Sequence, residues 1–171
     1  MNLLGRIIKV FDLEFTTDHY YIKRPSIVEQ IQFNNRTFYA KFERIDEPLT
    51  PLVLDQHLDR QFIIAVPLLK DDHTNYLVLE YKGEEHQRFH HLVKHLFHTL
   101  QINNYHIYQG KDEEKIQVFI EVDNIPLQEA ELQLQALSLA LKQKLTKKWK
   151  CLPSASLPEA YNIVTLPYKT I

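Results

Sequence analysis

Residues 76–100, YLVLEYKGEEHQRFHHLVKHLFHTL, change their period midway, and that change decides the fold class. The stretch opens on the apolar run YLVLEYK, which ends in Glu80, Tyr81 and Lys82. In a strand, residues i and i+2 project from one face, so Glu80 and Lys82 stand side by side. Beyond Gly83 the spacing becomes helical. Phe89, Leu92, Val93, Leu96, Phe97 and Leu100 fall at i, i+3, i+4, i+7, i+8 and i+11, the stripe of an amphipathic helix packed on a sheet.

Working upstream, QFIIAVPLL (61–69) reads as a buried strand whose regular pairing Pro67 ends. The polar turn KDDHTN (70–75) then predicts an antiparallel pair with YLVLEYK. Before it, Leu52 to Leu58 form a short helical pattern that Thr50 caps, with Pro51 at the first helical position. Downstream, NYHIYQG (104–110) reads as a strand, KDEE (111–114) as a turn and KIQVFIEV (115–122) as the returning strand. Pro126 opens a long helix expected to run to about Trp149, with Ala130, Leu134, Leu137, Leu141 and Leu145 on one stripe. EAYNIVTLPYKTI (159–171) closes the chain as a short strand and turn. Strand pairs separated by amphipathic helices predict an α+β fold, helices over a largely antiparallel sheet. In the aromatic, basic first 45 residues two readings stay open: a hairpin around Asn34 and Asn35, or a helix from Ser26, where SIVE has the form of a capping box. The expected organisation is a small N-terminal element, 1–45, followed by a domain over 46–171.

Composition narrows the function. At 44% hydrophobic and 25% charged residues, with a net charge of −2, the chain has ordinary globular usage and no overall basic field for nucleic acid, so any such site is a local patch. Its three glycines, Gly5, Gly83 and Gly110, exclude the glycine-rich phosphate loops of the Rossmann and P-loop kinds, and no Gly-x-Ser-x-Gly elbow occurs. The single cysteine, Cys151, forms no internal disulfide, which fits a reducing compartment and makes the cytoplasm the expected location. Arg6 and Lys9 interrupt the apolar N-terminus MNLLGRIIKVF, and nothing approaches the roughly 18 apolar residues of a spanning helix. No membrane partner is expected.

Two clusters have plain structural explanations. His91, His95 and His98 share the helix face opposite the apolar stripe, and imidazoles at i and i+4 can chelate zinc. No Glu follows His91 as in His-Glu-x-x-His, so a solvated face is the preferred reading and no metal is assigned. The basic run KQKLTKKWK (142–150) complements a helix C-terminus; with Trp149 it is also a candidate for brushing a nucleic-acid backbone.

Taken in order, several segments carry a resemblance. PLTPLVLDQHLDRQFIIAVPLLKDDHTNYLVLEYKG, FHHLVKHLFHTLQINNYHIYQG, KIQVFIEVDNIPLQEAELQLQALSLALKQKL and YNIVTLPYK together, from Pro48 to Lys169, resemble the prim-pol domain of the archaeo-eukaryotic primase superfamily, most closely small bacterial primases associated with conflict systems. The first 45 residues, with DHYYIKR and FERID, are instead similar to an uncharacterised family of small bacterial proteins. The resemblance implies a prim-pol-like sheet with a degenerate active site. Glu80, Tyr81 and Lys82 replace the family's Asp-x-Asp, and Gln117 stands at the position of its nucleotide-contacting histidine. No third catalytic acid is assignable between Leu145 and Tyr161.

Two-metal nucleotidyl transfer needs carboxylates that bring two ions within about 4 Å of each other. A unit charge pair at 4 Å is worth roughly 4 kcal/mol at an effective dielectric of 20, and a divalent ion beside Lys82 meets about twice that in repulsion. The resemblance therefore implies a nucleotide- or nucleic-acid-binding protein without polymerase activity, taking a nucleoside triphosphate or a single strand, with Mg²⁺ accompanying the triphosphate but not required. Lys82 and Lys169 are expected to face phosphates, Gln117 to supply a neutral hydrogen bond and Tyr81 or Tyr108 an aromatic surface, beside Glu80. Two alternatives stand: a metal-dependent nucleotidyltransferase or phosphohydrolase using Glu80 and acids of KDEE, and a protein-interaction module that keeps only the scaffold. The plainest alternative for Glu80 and Lys82 is a solvent-exposed pair contributing about 0–1 kcal/mol. Oligomeric state is not encoded legibly.

Overall fold

Alternating burial sets the strands. The computed structural model describes residues 6–24, 30–33, 36–39 and 42–171, and the chain divides into two compact units, Met1–Val66 and Pro67–Ile171. In the first unit, β1 (Arg6–Val10) and β2 (Leu13–Thr17) form an antiparallel hairpin. Leu13, Phe15 and Thr17 are buried and Glu14 and Thr16 exposed, the period of a strand with one covered face. Phe11 takes the positive φ that the two-residue turn requires (56°).

β3 (Tyr20–Lys23) follows. β4 (Gln30–Phe33) and β5 (Arg36–Tyr39) pair antiparallel with Phe33 opposite Arg36, as the hairpin reading expects. Asn34, Asn35 and the alternative helix start at Ser26 lie outside the described residues. β6 (Glu43–Ile45) pairs with β3. α1 (Pro51–Leu58) starts as predicted, with Pro51 in its first turn and the Thr50 hydroxyl accepting from the Val53 N–H at 3.4 Å. Its fully buried His57 accepts the Ile64 N–H at 3.0 Å through Nδ1, which ties α1 to β7 (Ile63–Pro67).

The second unit carries one five-stranded sheet and two helices. Its elements are β8 (His73–Lys82), α2 (His86–Thr99), β9 (Tyr105–Gln109), β10 (Lys115–Pro126), α3 (Leu127–Lys142), β11 (Trp149–Leu152), a 3₁₀ turn Glu159–Tyr161, β12 (Ile163–Thr165) and β13 (Lys169–Thr170). The sheet order is β11-β8-β10-β9-β13, and every pair in it is antiparallel. The mixed α+β class is therefore as the sequence period predicts.

The core lies between this sheet and its helices. Leu77, Leu79 and Tyr81 of β8 and Ile116, Val118 and Ile120 of β10 meet Phe89, Val93 and Phe97 of α2 and Ala130, Leu134, Leu137 and Leu141 of α3. Phe89 stacks between Tyr81 (ring centroids 4.9 Å apart) and Trp149 (5.9 Å), joining β8, α2 and β11. Such ring pairs add about 0.5–1.5 kcal/mol beyond their burial.

Two sequence expectations are corrected. The strand at 61–69 does not form a hairpin with YLVLEYK. β7 pairs with β3, Tyr21 opposite Ala65, while β8 takes β10 and β11 as neighbours. The compact division of the chain falls at Val66/Pro67. Finally, α3 stops at Lys142 and Trp149 belongs to a strand opposite Tyr81. Leu145 continues the apolar stripe but lies past the last helical residue, and the chain then turns back to satisfy the free edge of β8. Among the described residues no helix is long and apolar enough to cross a membrane.

Candidate functional site

The alternation that buries Leu77, Leu79 and Tyr81 under the helices puts Tyr76, Val78, Glu80 and Lys82 on the other face of β8. Directly opposite residues of antiparallel strands share a face. Glu80 pairs with Gln117, Gln117 with Tyr108, and Lys82 with Lys115, so these side chains form one polar end of the sheet face opposite α2 and α3.

Two lysines placed opposite one another repel, and the structure separates them. The Lys82 ammonium turns out to Asp112, 3.2 Å away, in a largely exposed pair. Lys115 turns in: its Nζ donates to Thr165 Oγ1 at 3.2 Å and lies 3.8 Å from Glu80 Oε2. Gln117, fully buried, donates through Nε2 to Glu80 Oε1 at 3.1 Å and to the Thr165 carbonyl at 2.8 Å, with the Thr165 hydroxyl oxygen at 3.3 Å. Both of its near neighbours are acceptors, which fixes the amide orientation. Gln117 Oε1 is then left buried with no hydrogen-bond partner among the described residues.

Gly110 makes room for this arrangement. A Cβ there would sit 2.6 Å from Lys115 Cδ and 2.7 Å from Cγ, closer than carbon atoms approach. Its backbone N–H donates to the Lys115 carbonyl at 2.9 Å, so the KDEE turn is closed by the residue whose missing side chain lets the lysine stem lie flat.

Glu80 and Gln117, both predicted from sequence, are therefore in direct contact, and Tyr108 is their neighbour on the same face. Tyr108 is buried, with its ring edge-on to Phe119 at 5.9 Å, so it offers no stacking surface to a ligand. Lys82 shares the face but points away to Asp112. Tyr81 sits in the helix-covered core, stacked on Phe89, and Lys169, opposite Gln109, falls on the Tyr81 side of the sheet. A single cavity shared by residues 80, 82, 117 and 169 is thus not formed. Sequence reasoning missed Lys115 and Thr165. Lys115 carried a usable signal, two residues before Gln117 in the same strand. Thr165 carried none.

Trp149 is buried and donates its Nε1–H to Ser138 Oγ at 2.9 Å, which removes it as a nucleic-acid platform. Cys151 is half-buried, and burial raises its thiol above the ordinary range against the opposing pull of Lys147. His91, His95 and His98 are exposed on α2, and no group of three or more His, Cys, Asp or Glu side chains suited to a metal ion occurs among the described residues.

Residues 7–75 match the family model described as a domain of unknown function (DUF1882). The match spans the first unit from β1 and ends inside β8, so it stops short of Glu80, Lys115 and Gln117. No match to the chain is found among curated proteins.

Proposed function

We propose that the chain is a nucleotide- or nucleic-acid-binding protein with a prim-pol-like sheet and no polymerase activity, in which Lys115 rather than Lys82 faces the phosphates. One observation carries the reading: both oxygens of Glu80 are engaged by the chain's own donors, Oε1 by the Gln117 amide and Oε2 by the Lys115 ammonium. An ammonium in that position supplies the counter-charge that a cation pair supplies in two-metal chemistry, and it meets a phosphate as a point charge. Of the acids that the enzymatic alternative draws from KDEE, Asp112 is engaged as well, lying against Lys82. Lys115 is still partly exposed, at 23% of its side chain, so an incoming phosphate oxygen can replace Glu80 as its partner while Gln117 holds the carboxylate in place.

Thermal shift with each nucleoside triphosphate and with a short single-stranded oligonucleotide, with and without Mg²⁺, tests this. The expected result is metal-independent stabilisation that Lys115→Ala removes and Lys82→Ala reduces less. At a ligand concentration 100-fold above Kd the stabilisation is about 2.7 kcal/mol. Strictly Mg²⁺-dependent stabilisation favours an enzyme using Glu80. No response to any ligand refutes binding and leaves the interaction module.

A further inference from the structure

The buried stripe of α3 accounts for Ala130, Leu134, Leu137, Ser138 and Leu141. Its other side is unusual: Leu132 and Leu139 are 67% and 60% exposed, and at i and i+7 they stand above one another on the same outward stripe. Gln128, Gln135, Ala136 and Gln143 flank them, all exposed. Glu129 lies three residues before the first leucine and Lys142 three residues after the second.

This arrangement is self-complementary. If a second α3 is laid antiparallel with a two-fold axis between Gln135 and Ala136, Leu132 meets Leu139 of the second copy, Glu129 meets its Lys142, and Gln128 meets its Gln143. The three correspondences hold at once because the acid and the cation are equally spaced from the leucine pair, a condition that an unrelated partner would not impose. A two-fold interface requires just such a patch, complementary to itself under rotation. The small side chain of Ala136 at the centre lets the helices approach, and apolar residues with opposite charges at the flanks are the pattern of paired helices.

We infer that the chain self-associates through an antiparallel pairing of α3 with α3 of a second copy, centred on Leu132 and Leu139. A pair of 16-residue helices buries less than a standard interface, so the dimer is a weak, concentration-dependent one in the micromolar range. This inference does not depend on the nucleotide-binding reading, since α3 packs on the sheet face opposite Glu80 and Lys115.

Sedimentation velocity of the full chain over a wide concentration range tests it with five variants. The unsubstituted protein is expected to shift from monomer to dimer as concentration rises. Leu132→Glu and Leu139→Glu each hold it monomeric. Glu129→Lys or Lys142→Glu alone sets like charges against each other twice per dimer and weakens association about tenfold, and the combined Glu129→Lys, Lys142→Glu variant restores it. All four positions are exposed, and unchanged Trp149 fluorescence confirms that each variant is folded. A monomer at every concentration overturns the inference, as does a dimer insensitive to Leu132→Glu or a doubly swapped variant as weak as the single ones.

Discussion

Gln117→Leu is the most direct perturbation of the candidate site, because it keeps the side chain's bulk and removes only its polarity. In a fully buried position, the change strips the amide donor from the Thr165 carbonyl at 2.8 Å and from Glu80 Oε1 at 3.1 Å. A buried acceptor left unpaired costs about 1–3 kcal/mol, more if charged. Against this, leucine also deletes the unpaired Oε1, recovering a desolvation penalty of comparable kind. The net destabilisation is about 1–3 kcal/mol, less than the sum of the two lost bonds. Gln117→Glu at neutral pH fares worse, since an added carboxylate faces Glu80 and the Thr165 carbonyl. Its folded-state pKa is raised above the ordinary carboxyl value of about 4.3, so its destabilisation grows as pH rises through the range between those two values and is smallest in acid. Urea unfolding followed by Trp149, the chain's one tryptophan and buried in the same unit, reads both variants. A neutral or stabilising Gln117→Leu would refute the claim that this amide clamps Glu80 to the strand ending at Thr165.

Four further outcomes are expected. Gly110→Ala displaces the Lys115 stem, so nucleotide stabilisation falls toward that of Lys115→Ala while the core, read by Trp149 emission, is unaffected. Trp149→Phe retains the stack on Phe89 but leaves Ser138 without its indole donor, costing about 1 kcal/mol beyond the loss of ring area in urea unfolding followed by circular dichroism. Thr50→Ala removes the cap of α1 at a cost of about 1 kcal/mol, and Thr50→Ser recovers most of it, as hydrogen exchange of the first turn measures. His90 has its pKa lowered by burial first and then by Lys94 and His91. Its contribution to stability is complete above the unfolded value of 6.5 and is lost as pH falls through the lower folded value. His90→Gln therefore flattens the stability profile on the acid side of 6.5.

Legibility in the sequence followed the distance over which each feature is determined. The strand at 76–82 and α2 were readable because their apolar periods are local and uninterrupted, and the Thr50 cap because it spans three residues. The end of α3 was not: Leu145 sits on the helical stripe although the helix has already closed, and only the free edge of β8 explains why Trp149 to Leu152 become a strand. Adjacency in sequence favoured pairing β7 with β8, yet β7 completes a sheet with β3, some forty residues earlier. At the site, Glu80 and Gln117 were found through the strand period together with the prim-pol resemblance. Lys115 was legible in the same strand period, two residues before Gln117, but its place at a turn boundary drew attention away from it. Thr165 reaches Gln117 across 48 residues, a contact no local pattern encodes. Lys82 and Lys169 were credited with a shared role because charge is visible in sequence while the face of a sheet is not.

The strict division of labour between the two sides of β8 has a consequence for how such a protein diverges. Odd-numbered Leu77, Leu79 and Tyr81 anchor the helices, whereas Glu80 and Lys82 belong to a separate surface, so substitution at the latter leaves helix packing intact. Losing or gaining one residue within the strand is another matter, for it would exchange the two sets wholesale. A lineage built on this sheet can therefore rewrite that surface residue by residue, while length variation is confined to the turns at either end.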